Sequence, residues 1–280
     1  MPLYNTNGKL TTEERIVNTS HSWDSTLSWE QYHEATNIEI VDGSLQLSET
    51  EFVVPEAIEH HWYTPEASSD VWFDLEGDED ASIEGLNYED NYLYNEYDAL
   101  VGDGDNAHAE ATTLDDWGGN VGNDFCIVMA FSMTTSEGYL FGQEDSNDDA
   151  FHAITADGNY SVSNDENSIK FVIGESDNRS ILFGETKIDD GSPHAVILNA
   201  HGSNSEDWEI FVDGGSNEAN HENVATIDGF TFNYPLKFHC RNDTGSVDGV
   251  TDTGFYEVMF GSDTLSESEI DQIFNKYSWI

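Results

Sequence analysis

Apolar and polar residues alternate along much of the chain with a period of two, the signature of strands buried on one face. The cleanest run is Trp208-Glu209-Ile210-Phe211-Val212, which ends in Asp213-Gly214, a pair suited to a tight hairpin turn. Similar short runs, separated by acidic turns containing Gly and Asn, predict strands over 58–63, 71–75, 107–111, 125–131, 138–142, 151–156, 160–163, 169–173, 180–183, 194–201, 208–212, 236–240 and 255–260. Short strands at this spacing, with almost no helix between them, predict an all-β antiparallel sandwich or barrel.

The ends of the chain read differently. Thr11 and Glu14 have capping-box spacing, which predicts a short helix there. Asn37-Ile38-Glu39-Ile40-Val41 and Ser44-Leu45-Gln46-Leu47 flank Asp42-Gly43 and predict a hairpin. Near the C-terminus Ser266 and Glu269 form a second capping box. Ile270, Ile273, Phe274 and Tyr277 follow at i, i+3, i+4 and i+7, so a short terminal helix should lay one apolar stripe on the sandwich. The chain therefore divides into an N-terminal arm, 1–57, suited to anchoring or oligomerisation, and a sandwich domain, 58–280.

Charge changes the picture of where such a protein works. The 280 residues hold 57 Asp plus Glu against 8 Lys plus Arg, a formal charge of −49, which excludes a nucleic-acid binder because nothing could neutralise a run of phosphates. Charged residues are only 23% of the chain, so the oddity is a shortage of cations. Concentrated salt screens such self-repulsion, which points to a halophilic protein. An acidic disordered chain is the alternative, opposed by 7 Trp, 12 Tyr and 15 Phe and by the strand periodicity. Cys126 and Cys240 each sit in an apolar run and read as small buried hydrophobes, with a single bridge as the alternative. The first residues lack the apolar core and small-residue cleavage site of a secretory signal, and no apolar stretch approaches membrane-spanning length, so neither standard export nor membrane insertion is expected.

From Trp62 to Ile280 the order of features resembles the concanavalin A-like lectin/glucanase superfamily with its laminin G-like and pentraxin-like domains. The resemblance rests on Ala99-Leu100-Val101-Gly102-Asp103-Gly104-Asp105-Asn106-Ala107, on Asp124 through Phe131, on Asp190-Gly191-Ser192-Pro193-His194-Ala195-Val196 with the Trp208 to Gly214 hairpin, and on Gly254 through Phe260 followed by the terminal helix. It implies a two-sheet jelly roll that often carries calcium at one rim and often binds glycans or proteins. The fold does not fix the activity.

The candidate chemistry is sparse. Glycoside hydrolysis commonly uses two carboxylates flanking the sugar bond, and in the glucanase branch these lie as Glu-x-Asp-x-(x)-Glu on one strand. The nearest strings are Glu76-Gly77-Asp78-Glu79-Asp80, read as a loop, and Glu269-Ile270-Asp271, on the terminal helix, so the expectation is a protein that is not an enzyme. By resemblance, the loop containing Asp145, Asp148 and Asp149 and the loop with Asn242 and Asp243 fall where rim ligands for calcium, or magnesium, are contributed; solvated acidic loops are the alternative. His194, on an apolar strand, reads as a packed residue before a ligand. Trp23, Trp29 and Tyr32 of the arm, with His60-His61-Trp62-Tyr63 beyond, suit either an interface or packing on the chain's own sandwich.

These readings together predict a virion surface structural protein of a halophilic archaeal virus: a capsid turret, spike or tail fibre component. It would be a homo-oligomer that contacts other virion proteins and meets a host surface glycan or glycoprotein. The alternative is a haloarchaeal extracellular polysaccharide-binding or adhesion protein, and the third reading is a glycoside hydrolase.

Overall fold

The computed structural model of the chain describes residues 5–6, 9–10, 38–41, 44–47, 52–90, 98–102, 106–111, 123–134, 138–144, 150–155, 167–175, 178–227, 235–243 and 246–277. It has two units, Met1–Val53 and Val54–Ile280. In the first, β1 (Asn5–Thr6) pairs with β2 (Lys9–Leu10), and β3 (Ile38–Val41) pairs with β4 (Ser44–Leu47), both antiparallel. Val41 stands opposite Ser44, the register that an Asp-Gly connection imposes. The helix expected after Thr11, the arm residues Trp23, Trp29 and Tyr32, and the strand expected over 160–163 lie outside the described residues.

The second unit is a sandwich of two sheets. The larger contains β6 (Val71–Trp72), β7 (Ala81–Glu84), β10 (His108–Ala111), β12 (Gly138–Glu144), β13 (Ala150–Thr155), β14 (Ser168–Glu175), β15 (Asn178–Lys187), β18 (Asn220–Asn223), β19 (Leu236–Phe238), β20 (Arg241–Asp243) and β21 (Ser246–Asp248). Its order is β18-β15-β14-β13-β12-β19-β10-β7-β6, with β20 also on β12 and β21 on β20. The smaller contains β5 (Ile58–Tyr63), β8 (Asn87–Glu89), β9 (Ala99–Val101), β11 (Phe125–Ser132), β16 (Pro193–Ala200), β17 (Glu209–Val212) and β22 (Gly254–Gly261). Its order is β17-β16-β11-β22-β9-β8, with β5 also on β22. Pairing among the described strands is antiparallel except for β20, which runs parallel to β12. The result is the predicted all-β sandwich of two sheets.

The core lies between the sheets and is rich in rings: Trp62, Trp72, Phe141, Phe238, Phe255 and Phe260 are fully buried. Trp62 meets Phe238 at 5.2 Å and Phe260 at 5.7 Å, edge to face, the geometry that aromatic quadrupoles favour. The segment expected as one strand over 71–75 instead forms a corner. Val71 and Trp72 pair with β7, and two residues later Asp74 bridges to Trp62 of the smaller sheet. His239 ties the sheets a second time through its Nε2, 2.9 Å from the Leu100 carbonyl. Burial there pushes its pKa down to about 4, so the ring is neutral.

Strands hidden by their composition were β7, β8, β18, β20 and β21; β8 and β18 are sheet edges, and β18 reads Asn220-His221-Glu222-Asn223. Asp213 and Gly214 both have positive φ, 53° and 74°, and Gly215 N donates to Val212 O at 2.9 Å, the turn that the Asp-Gly pair predicts. Helix α1 (Glu267–Lys276) opens on Ser266 with the full capping box, and Ile270, Ile273 and Tyr277 are buried. Cys126, on β11, and Cys240, between β19 and β20, are free and buried, and burial raises both thiols, Cys240 to about 12.

Candidate functional site

The alternation of β5 aims Trp62 into the core and His61 and Tyr63 to the outer face of the smaller sheet. On β22, Glu257 lies opposite Tyr63 and Met259 opposite His61, so Glu257 also faces outward. On the far side of β5 the Asp74 bridge sets the register. Leu75 N donates to His61 O at 2.8 Å, which brings Leu75 across from His61 and Phe73 across from Tyr63 on that same outer face.

Asp74 itself is an organising acceptor. It takes hydrogen bonds from His61 N (2.8 Å), Gly77 N (3.0 Å) and Glu79 N (3.2 Å) and pairs with His60 Nδ1 (2.7 Å). Burial works against its charge, but these donors win and hold the carboxyl below the usual range. A Cβ on Gly77 would stand 2.5 Å from Asp74 Oδ2, so glycine is required for the loop to close over the carboxylate. This loop is the Glu76 to Asp80 string, and it is a loop as expected.

Helix α1 closes over part of the outer face. Asn199 of β16 exchanges hydrogen bonds with the Leu265 backbone, 3.1 and 2.8 Å, and fixes the approach to the helix. At the other end Lys276 Nζ and His61 Nε2 both reach Glu257 Oε1, and the Tyr277 hydroxyl donates to Oε2 at 2.6 Å. Burial tends to raise Glu257, yet the His61 hydrogen bond and the Lys276 ammonium hold it below its ordinary value. Tyr277 is pushed the other way, well up, because burial and the adjacent carboxylate both favour the neutral phenol. A tyrosine nucleophile is one route to glycoside cleavage and needs access and an easily lost proton. Tyr277 is buried and donates its proton to Glu257, so this pair works as a lock between helix and sheet.

Beyond that lock lies an open edge. The Lys276 ammonium sits 5.1 Å from the centre of the half-buried Tyr63 ring. Tyr88, 46% exposed, donates its hydroxyl to Asp98 Oδ2 at 2.6 Å, which, with burial and nearby Asp90 and Tyr63, pushes its pKa up to about 12. Tyr63 is likewise raised, by burial first and then by Glu257, Glu66 and Asp98, which places these groups around one spot. Five large apolar side chains are exposed among the described residues, and Phe73, Leu75 and Tyr88 are three of them. Rings, a hydroxyl, carboxylates and one ammonium therefore share this edge. Sequence reading noted Tyr63 as one of many rings but missed Phe73, Tyr88, Asp98 and Glu257, because β5 and β9 reach the same stretch of β22 only through long-range pairing.

The larger sheet carries a different cluster. Glu144 of β12 accepts from Arg241 Nη1 (2.5 Å) and lies 3.7 Å from Arg179 Nη2, and Arg241 also pairs with Asp248. His152 is fully buried beside them, and burial together with the two arginines holds it neutral, well below its ordinary value. The Arg241 guanidinium covers the Tyr139 ring at 4.9 Å. A Cβ on Gly142 would meet His152 Cδ2 at 2.8 Å, so only glycine lets these side chains settle on the sheet.

Of the five residues expected around a metal, two lie on described backbone. Asn242 and Asp243, read as a loop, belong to strand β20, whose backbone pairs with Gln143, Glu144 and β21; the side chains of this apolar-poor strand gave no strand signal. Asp145, Asp148 and Asp149 lie outside the described residues. Among the described residues no group of three or more His, Cys, Asp or Glu is arranged to hold a metal ion. His194 is buried on β16, with Nδ1 2.8 Å from Asp213 and Nε2 3.2 Å from Asp190. It is packed, as expected, and the two carboxylates overcome burial to raise its pKa.

No family model and no curated protein matches the sequence. Solved structures do match the fold. The sialidase of Trypanosoma rangeli in complex with 2,3-difluorosialic acid superposes with a TM-score of 0.57 at 15% identity, over 81% of this chain and 34% of that one. The binding domain of botulinum neurotoxin DC in complex with SialylT gives 0.52 at 12% identity, over 79% and 52%. A structure on the entry of botulinum neurotoxin type C into cells through two ganglioside molecules gives 0.53 at 11%, over 79% and 51%. The chain thus spans about a third of the sialidases and about half of the toxin domains, and the likeness establishes the fold. It also corrects one expectation. The same sandwich occurs in chains that are glycoside hydrolases, so the missing Glu-x-Asp-x-x-Glu strand does not set this chain apart from enzymes.

Proposed function

We propose that the sandwich is a carbohydrate-binding domain that holds sugar on the outer edge of the smaller sheet, against Tyr63, Phe73 and Tyr88. The observation that carries this reading is the gathering there of Phe73, Leu75 and Tyr88, three of the five large apolar side chains exposed among the described residues, beside Asp98 and Lys276. A sugar ring offers an apolar C–H face and a rim of hydroxyls, and this edge supplies the matching ring faces and hydrogen-bonding groups. The toxin and sialidase structures that share the fold are described with sialic acid derivatives or gangliosides, which supports carbohydrate as the ligand class. In its finer form, the domain serves host attachment on the virion surface of a halophilic archaeal virus, a reading supported by the acid excess, which suits concentrated salt.

A glycan array probed with the whole chain tests the reading. Binding to at least one oligosaccharide class is expected, together with its loss in the Phe73→Ser, Tyr88→Ala double variant. A folded chain that bound no glycan, or a double variant that bound like the parent, would refute it. Immunogold labelling of virions against labelling of cell envelopes separates the finer reading from an adhesion protein of the cell surface.

A further inference from the structure

We infer that in dilute salt this edge selects uncharged glycans and turns away sialylated and other carboxylate-bearing ones, an inference that rests on the carbohydrate-binding reading and narrows it. A sugar carboxylate is recognised by cationic donors, best by the planar fork of an arginine. Among the described residues, Lys170, Arg179, Lys187, Lys237 and Arg241 all stand on strands of the larger sheet. Within the second unit Lys276 is the described cation outside those strands, and Glu257 Oε1 already holds its ammonium. Around Tyr63 and Tyr88 stand four acids: Glu257 and Glu66 act on the Tyr63 phenol, Asp90 acts on that of Tyr88, and Asp98 acts on both. No ion pair within the described residues reaches Glu66, Asp90 or Asp98. The Tyr88 hydroxyl is committed to Asp98, so the residue offers its ring to a ligand, with no donor to spare for an anion.

An incoming carboxylate would therefore add a like charge to a group of acids, inside the field of a chain carrying −49. The inference runs against analogy with the structural neighbours, whose structures are described with sialic acid derivatives or gangliosides, and it does so on local charge alone. Salt supplies an internal check. The screening length falls from about 10 Å at 0.1 M to about 3 Å at 1 M, so a repulsive filter must weaken as salt rises.

The experiment is an array of galactose-, glucose- and mannose-terminated oligosaccharides, each printed beside its sialylated or uronic-acid counterpart and probed in 0.1 M and 3 M salt. The expected result is that a neutral member binds at least about tenfold more tightly than its acidic counterpart at 0.1 M, with the gap narrowing at 3 M. The Glu66→Gln, Asp90→Asn double variant should narrow the gap at low salt while still binding the neutral member, with an unchanged circular dichroism spectrum as the control for folding. Equal or tighter binding of the acidic member at 0.1 M, or a gap that the double variant leaves intact, overturns the inference and leaves carbohydrate binding standing. Absence of binding to every member overturns the reading beneath it as well.

Discussion

On the larger sheet five cations stand on the strands, and carboxylates meet four of them: Arg179 and Arg241 converge on Glu144, Lys237 meets Glu110 and Lys187 meets Asp189. The strands of the smaller sheet carry no Lys or Arg, and their acids lean on histidine: His61 and Glu257, His194 and Asp213, His201 and Glu209. The histidines themselves differ. His152, on the larger sheet, and His239, just past β19, are buried and held neutral, whereas Asp213 and Asp190 favour the protonated form of His194. In a chain with so few cations, their placement decides which face tolerates an anion, and the edge at Tyr63 and Tyr88 is the face left acidic.

The comparison can be broken most severely at Glu257. Glu257→Gln leaves Lys276 and His61 packed around a neutral group, and removing one partner of a buried ion pair costs about 3 kcal/mol, read as a lower midpoint in chemical denaturation. A similar loss follows from acid. His239 has a folded value of about 4 against about 6.5 in an unfolded chain, so between those values the unfolded state binds a proton that the folded state refuses. Stability should fall by about 3 kcal/mol as pH drops from 6.5 to 4, and His239→Gln should flatten that slope. His194 acts with the opposite sign: its raised value gives stability that is complete below about pH 6.5 and is lost as pH rises through the folded value. His194→Asn should remove the alkaline limb while leaving the acid one.

Smaller effects sharpen the contrast. Arg241→Met removes charged hydrogen bonds to Glu144 and Asp248 and should cost about 2 kcal/mol without changing glycan binding. Tyr88→Ala, at an exposed edge, should shift stability by less than about 0.5 kcal/mol while weakening glycan binding about tenfold. If Arg241→Met abolished binding and Tyr88→Ala did not, the assignment of roles to the two sheets would be reversed.

What the sequence made legible follows from burial. β11, β16 and β22 are buried along almost their whole length, so their runs of Val, Ile, Phe and Met announce them. Helix α1 was legible from Ser266, Glu269 and the stripe at Ile270 and Ile273. Edge strands such as β8 and β18 bury little and carry Asn and Glu, which read as turns. The candidate site was hidden for another reason. Tyr63, Phe73, Tyr88 and Asp98 meet because β5 and β9 both dock on β22, about 155 to 200 residues away in sequence, and because the corner at Asp74 turns Phe73 outward. The glucanase pattern searched for carboxylates along a single strand, whereas the acids here come from separate elements.

The most direct measurement is a calorimetric titration of the tightest-binding neutral oligosaccharide from the array into three proteins: the parent chain, the Phe73→Ser, Tyr88→Ala double variant, and Arg241→Met. The account predicts affinity lowered at least about tenfold in the double variant and unchanged in Arg241→Met. Parent-like affinity in the double variant, with loss in Arg241→Met, would contradict it and move the site to the larger sheet.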